Sequence, residues 1–296
     1  MTQHTRRGWT MAQRREVTDA VNRSPAVSGP LPWRLRFVDG AVEVVRGDWD
    51  DESSGNGLGR DRLVSCGAAV ATLELALRRE GLRFSMQLDP DHGSEVLARV
   101  EINGELPASA GERELYAAIY LRHSHRQPFS PLPVDHDLCE RIIARHGVTD
   151  TQVLRIAEPA LGAIARLLTY AAGAVRSDTA YQRDLAAWTM PAVRSELDTL
   201  PWALVRTTTH LPDQPTLEQR LREQTTLLVI TEDDARVDHL RAGIAMQRVW
   251  LAAVANGLAA SVHTQSLYLP EVRAGLVEQL GLAGYPHLLM RLGYPA

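Results

Sequence analysis

Arginine supplies every long basic side chain of this 296-residue sequence; the 32 Lys-plus-Arg positions include no lysine. That excludes a Schiff-base amine, and with it ordinary pyridoxal-phosphate and lysine-dependent aldolase chemistry. It also excludes a Walker A loop and the protein-kinase lysine. Any anion site must use guanidinium forks, hydroxyl groups or helix N-termini. His-Glu-x-x-His, Cys-x-x-Cys and Gly-x-Ser-x-Gly are absent. His123-Ser124-His125 offers two imidazoles, but spacing supplies no third ligand, so no metal site is expected. Gly55-Asn56-Gly57-Leu58-Gly59 lacks the Rossmann spacing and reads as a flexible acidic loop. Cys66 and Cys139 stand far apart and read as cytosolic thiols rather than a disulfide framework.

The elements that must position such groups follow from periodicity. A composition of 45% hydrophobic and 23% charged residues is that of a globular chain with a sizeable core. No apolar run approaches the roughly 18 residues of a membrane span, and Met1–Thr10 is polar and basic, so neither a membrane segment nor a secretory signal is expected. The formal charge of −4 argues against nucleic acid as a partner. Residues 12–23 read as a short helix. Trp33–Val38 and Ala41–Arg46 alternate around Asp39-Gly40 and predict a β-hairpin. An acidic, Gly-rich loop is expected over Asp48–Arg60. A strong helix follows over 62–80, with Leu63, Val70, Leu73 and Leu77 on one face and Gly81 as its cap. Strands are expected at Arg83–Leu88 and Val96–Ile102, and a helix at 111–121. The later part predicts helices at 135–146, 158–175, 178–188, 235–256 and 270–279, and strands at Leu227–Thr231 and His287–Leu292. Residues 189–216, rich in Pro and Thr, are too long for a simple connector and read as a lid or excursion.

The chain also resembles itself. Gly67–Leu82 and Gly243–Leu258 align without gaps, the same residue standing at Gly67/Gly243, Ala69/Ala245, Leu75/Leu251, Ala76/Ala252, Gly81/Gly257 and Leu82/Leu258. Matched glycines bracket both helices at the same spacing, which composition alone does not require. Two copies of an α+β unit in one chain can pack about a pseudo-two-fold axis, like a dimer fused into a monomer.

Several blocks carry a likeness to known proteins: Pro25–Arg34 with its Pro-Trp-Arg ending, Ser65-Cys66-Gly67-Ala68-Ala69, Arg122–Phe129, Ala180–Thr189 and Leu227–Gly293. In order and spacing the chain resembles the nitroreductase-fold flavoproteins, and among them the Acg group of actinobacteria. The resemblance implies an α+β nitroreductase-like fold, internally duplicated so that one chain mimics the family dimer. Residues 1–121 would form the N-terminal half and 122–296 the C-terminal half, with a lid over about 176–215 carrying Trp188, Pro191, Pro201 and Trp202. It implies one flavin mononucleotide (FMN) site, with NAD(P)H as the electron donor.

Site residues follow from the same likeness. Arg122-His123-Ser124-His125-Arg126 resembles the family's Arg-x-Ser-x-Arg phosphate motif, in which guanidinium groups and a hydroxyl surround one phosphate. Pro25, Ala26, Val27 and Gly29 match the segment that approaches the flavin ring from the other half. Val262, His263 and Thr264 match the segment that runs along the ring near its redox centre. The chain departs from the pattern where Gly29 and Leu31 stand for the usual Asn and Gln, and where Val262 and His263 stand for Pro-Leu or Pro-Ile. Family members usually continue into a basic tail that helps to hold the phosphate; here Arg291 is the nearest basic residue to such a tail. No side chain stands out as a general acid, His263 being the nearest candidate.

Three functions are therefore open at the level of sequence. One is an FMN-dependent oxidoreductase passing hydride through the flavin from NAD(P)H to a small electron-poor acceptor. The second is a non-catalytic protein that holds or sequesters FMN beneath the lid. The third is a flavin-free descendant that uses the cleft for another small molecule, a reading that Gly29 and Leu31 favour. All three imply a cytoplasmic protein that is a monomeric pseudo-dimer or a weak homodimer.

Overall fold

Local capping chemistry marks where the helices begin. Thr10 and Gln13 exchange side-chain and backbone hydrogen bonds at the start of α1 (Met11–Val21). Ser109 and Glu112 do the same at α3 (Ala110–Leu121), which follows α2 (Gly57–Arg79). Asp135 accepts from the Leu138 N–H at the start of α4 (His136–Ile143), and α5 spans Leu161–Ser177. Asp213 accepts from the Thr216 N–H at α6 (Gln214–Arg222). The remaining α-helices among the described residues are α7 (Arg236–Ala255) and α8 (Pro270–Leu280). The computed structural model describes residues 8–26, 31–49, 57–179 and 212–296. Most of the expected lid, the greater part of the helix expected at 178–188, and Val27 and Gly29 lie outside the described residues.

The strands form two antiparallel sheets of four. The first contains β1 (Trp33–Val38), β2 (Ala41–Arg46), β3 (Leu82–Leu88) and β4 (Val96–Glu105), in the order β1-β2-β4-β3. The second contains β5 (Thr151–Arg155), β6 (Thr225–Thr231), β7 (Ala259–His263) and β8 (Tyr285–Gly293), in the order β5-β6-β8-β7. The two sheets thus share one strand order, and in each a long helix, α2 or α7, joins the second strand to the third. The β1–β2 hairpin has the predicted bounds. Gly40 takes a φ of 72° in its turn, a conformation that glycine reaches without steric cost.

The second sheet is covered on both faces. Alternate residues of β6 point opposite ways. Leu227 and Val229 join Val249 and Trp250 of α7 in one cluster, whereas Leu228 and Ile230 join residues of α5, α6 and α8 in another. This explains why all seven residues of β6 are buried.

Some boundaries differ from expectation. α2 begins at Gly57, inside the stretch expected to be loop, and Leu63, Val70, Leu73 and Leu77 are buried as the periodicity requires. Val64, Ala68 and Leu75 are buried too, because neighbouring helices cover the other faces of α2. β5 and α6 were not expected. Thr151–Arg155 is short and becomes a strand by pairing with β6, and Gln214–Arg222 follows a Pro-rich stretch that masks its start.

The central contact is the crossing of α2 and α7. A Cβ on Gly67 would lie 2.1 Å from the carbonyl oxygen of Leu240 and 3.0 Å from the Cα of Gly243. A Cβ on Gly243 would lie 1.9 Å from the carbonyl oxygen of Val64 and 3.0 Å from the Cα of Gly67. The two helices touch backbone to backbone at the glycines that head the internal match, with the same neighbour on each side. Gly243→Ala is expected to destabilise the chain by about 3 kcal/mol or more, since backbone must move to admit the methyl group. Gly67→Ala should do the same, and denaturant unfolding measures both.

Glu112 gives a second test. Hydrogen bonding from Arg78, together with the bonds from Ser109, holds its carboxyl down to about 2, against an ordinary 4.5. A depressed carboxyl stabilises the fold above its unfolded value, and that stabilisation is lost as pH falls through the folded value. Glu112→Gln should therefore flatten the loss of stability between pH 4.5 and about 2, as read by urea midpoints across that range.

Candidate functional site

The Arg122–Arg126 segment leaves α3 and is hydrogen-bonded both to the turn after α1 and to β7. Arg122 stands at the C-cap of α3, and its Nη2 donates to the carbonyl oxygen of Arg23, 2.9 Å away. Its guanidinium lies over the Trp250 ring, 4.6 Å from the centroid. Burial lowers this guanidinium to about 10. Arg122 thus joins the turn after α1, just ahead of Pro25 and Ala26, to the core helix α7. Pro25 is partly buried and Ala26 is exposed.

Ser124 forms a parallel bridge to Ala260, and the N–H of His125 donates to the Ala260 carbonyl at 2.9 Å. Ala260 lies in β7, two residues ahead of Val262, so the segment is laced to the strand that carries the third predicted block. His123, Ser124 and Arg126 are exposed. Among the described residues no hydrogen bond or ion pair involves the Arg126 guanidinium or the Ser124 hydroxyl. His125 is buried, with its Nε2 3.1 Å from the Pro128 carbonyl and its ring stacked on Phe129 at 4.6 Å.

Arg291 has a different environment. It lies in β8 opposite Ser261, is 2% exposed, and donates from Nη1 to the Gln224 side chain at 3.0 Å. Its guanidinium sits 5.2 Å from the Phe129 centroid, and burial lowers it to about 9. Gly293 leaves room for this arrangement, because a Cβ there would lie 2.6 Å from Phe129. Arg291 is engaged inside the second half rather than presented at its surface.

The 262–264 block also divides. Val262 is partly buried. His263 is buried and turned into its own chain, with Nε2 2.7 Å from the Ser266 hydroxyl and accepting from the Ser266 N–H at 3.3 Å. Thr264 crosses to the first half, its hydroxyl donating to Asp61 Oδ2 at 2.6 Å.

Asp61 and its neighbour Arg60 are the residues that spacing did not reveal. Both are buried near the start of α2. Arg60 Nη2 donates to the Leu267 carbonyl at 2.7 Å, and Asp61 Oδ1 has no hydrogen-bond partner. Burial raises the Asp61 carboxyl, against the opposing pull of Arg60 and the Thr264 bond. Burial likewise lowers the Arg60 guanidinium. Arg236 holds the matching place in α7, since it precedes Gly243 by the same distance as Arg60 precedes Gly67. It donates from Nη2 to the Ser94 carbonyl of the first half at 2.6 Å. Each crossing helix therefore begins with an arginine that grips a backbone carbonyl of the opposite half. Only an arginine near a helix start, in a stretch expected to be loop, hinted at this in the sequence.

Two hydrogen bonds thus tie Arg122–Arg126 to residues just ahead of the other two segments, Arg122 to Arg23 before Pro25 and His125 to Ala260 before Val262. Ser124 and Arg126, both exposed, carry a hydroxyl and a guanidinium, donor types suited to an anion.

The chain is 29% identical over 300 residues to the "Putative NAD(P)H nitroreductase Rv3131" of Mycobacterium tuberculosis, a match covering 95% of this chain and 84% of that protein. It is 26% identical over 288 residues to the "Putative NAD(P)H nitroreductase acg" of the same organism, covering 92% and 86%. Among solved structures it is similar to the FMN-dependent nitroreductase NfnB of Mycobacterium smegmatis in complex with NADPH, at 16% identity and a TM-score of 0.41, over 62% of this chain and 88% of that one. A nitroreductase with bound FMN from Bacteroides fragilis matches at 19% identity and a TM-score of 0.41, over 62% and 89%. The profile described as the Nitroreductase family matches residues 119–294, a span that takes in the Arg122–Arg126 segment, β7 and β8. With more than half of its length inside that match, and an α+β fold of the kind the resemblance implied, this chain belongs to the nitroreductase family.

Proposed function

We propose that the chain is an FMN-binding, NAD(P)H-dependent oxidoreductase that reduces a small electron-poor acceptor. The observation that carries the reading is that the Arg122–Arg126 run is tied to the turn ahead of Pro25 and to the strand ahead of Val262 through the Arg122–Arg23 and His125–Ala260 hydrogen bonds. The names of the mycobacterial relatives and the cofactors in the names of the solved nitroreductases support it. The residues present fit the group. Arg126 and Ser124 would hold its phosphate, and His123, also exposed, precedes them in the run. Arg122, held by Trp250 and the Arg23 carbonyl, positions that run rather than contacting the phosphate itself. The backbone of Val262–Thr264 lies along the ring and is held in place by the Thr264–Asp61 bond. When bound, FMN would supply the two-electron redox chemistry between reduced nicotinamide and the acceptor.

The same reading makes the chain the single-polypeptide counterpart of a dimer, with halves 1–121 and 122–296. Support comes from the shared strand order, the matched glycine contact and the reciprocal Arg60 and Arg236 grips. Sedimentation should then give a mass near the chain's 32.7 kDa. A stable dimer would count against the fused arrangement.

The cofactor test uses purified protein and added FMN. Binding should appear as a shifted visible flavin band and quenched fluorescence. Arg126→Ala should remove a charge-assisted contact to phosphate that is worth about 1.5–3 kcal/mol, or roughly ten- to a hundredfold in Kd. The same variant should bind riboflavin, which lacks the phosphate, as wild type does. Anaerobic addition of NADPH should bleach the bound flavin. Failure to bind FMN, or an FMN affinity indifferent to Arg126, defeats the assignment.

A further inference from the structure

The second half holds a cluster of polar groups, two of them buried histidines, that the proposed flavin site does not use. Asp234 lies between β6 and α7, His239 in the first turns of α7 and His287 in β8. One ligand-type atom from each lies within 4.8 Å of the others. Asp234 Oδ1 is 3.0 Å from His239 Nε2 and 4.0 Å from His287 Nδ1. The two imidazoles meet edge to face with centroids 5.3 Å apart.

The surrounding hydrogen bonds determine which nitrogen is available. The Thr231 hydroxyl donates its only proton to the Asp233 carbonyl at 2.6 Å. Its oxygen must therefore accept from His287 Nε2, so a neutral His287 carries its proton there and leaves a lone pair at Nδ1. His287 is 0% exposed, and this Nδ1 has no hydrogen-bond partner although it is aimed at the Asp234 carboxylate. A lone pair facing a carboxylate is an unfavourable pairing that an electropositive centre between them would relieve. A proton does not bridge 4.0 Å as a hydrogen bond. Ligands bound at about 2.0–2.2 Å to a tetrahedral ion lie about 3.3–3.6 Å apart, and the observed separations of 3.0 and 4.0 Å straddle that edge.

We propose that Asp234 Oδ1, His239 Nε2 and His287 Nδ1 form a binding site for a divalent cation of the zinc type. Two imidazoles and one carboxylate are a ligand set that suits zinc and leaves a fourth position for water. The Asp234 side chain is 32% exposed and provides the way in. On binding, the proton on His239 Nε2 moves to Nδ1, which has no hydrogen-bond partner at present. Thr231 is the outer partner that orients His287. Arg273 Nη2, 2.7 Å from Asp234 Oδ1, orients the carboxylate; its Nε donates to the Pro286 carbonyl. The positive charge of Arg273, on the same carboxylate oxygen, weakens the site. The ion would tie the start of α7 to β8. The assignment is independent of the flavin reading, because no flavin-site residue is a ligand.

The test uses tag-free, chelator-stripped full-length protein without flavin, and Co2+ or Zn2+ as the probe. Equilibrium dialysis should give one Co2+ per chain, with the visible d–d bands of a four-coordinate site. Zn2+ should displace it and raise the unfolding midpoint. Asp234→Asn and His239→Gln should each weaken Co2+ binding by about a hundredfold or more, beyond the loss expected for an outer partner. His287→Gln tests the buried ligand, and far-UV circular dichroism of each apo variant reports whether it has folded. No stoichiometric Co2+ uptake by wild type overturns the proposal. So does an unchanged Co2+ spectrum in folded Asp234→Asn or His239→Gln.

Discussion

The architecture depends on the backbone contact between Gly67 of α2 and Gly243 of α7. At this crossing each glycine sits against a carbonyl of the other helix, with no space for a side chain. Close approach lets the helix of one half pack into the core of the other. Leu240 and Ile244 of α7 belong to the first half's cluster, and Val64 and Ala68 of α2 to the second's. The hydrophobic effect drives this burial, but only glycine lets the surfaces come near enough for it. Were the helices further apart, the arginines at their starts would fall short of the carbonyls they grip.

Electrostatics at the seam follows from that geometry. Arg60, Arg122, Arg236 and Arg291 are all drawn inside and matched to backbone carbonyls, aromatic faces or an amide. A guanidinium suits such positions, because its charge is delocalised and its donors are spread across a plane. Arg126 is exposed instead. Segment 122–126 leaves the core at Arg122 and bridges β7 at Ser124, which leaves the last arginine exposed. One five-residue run thus holds an arginine that builds the wall and another that is available to a ligand.

Much of the fold was legible because it rests on short-range physics. The Asp39-Gly40 hairpin, the α1 and α3 helices, the glycines at 81 and 257 and the long helices announced themselves through alternation, turn chemistry and periodicity. β5 and the beginning of α2 did not. A five-residue polar strand gains its hydrogen bonds from β6, far along the chain, and Gly57–Gly59 reads as loop until packing makes it helix.

At the candidate site the sequence by itself determined which chemistries are possible. Without lysine, charge-assisted anion contacts fall to arginine, and the Arg-x-Ser-x-Arg run and the matched helices are plain in the order of residues. Tertiary structure alone decided which groups are free to act. It turned His263 into its own chain toward Ser266, buried Arg291 against Phe129, paired Thr264 with Asp61, and brought Asp234, His239 and His287 together. The reason is physical. A side chain's type is fixed at its own position, but its availability depends on partners that folding brings from distant parts of the chain.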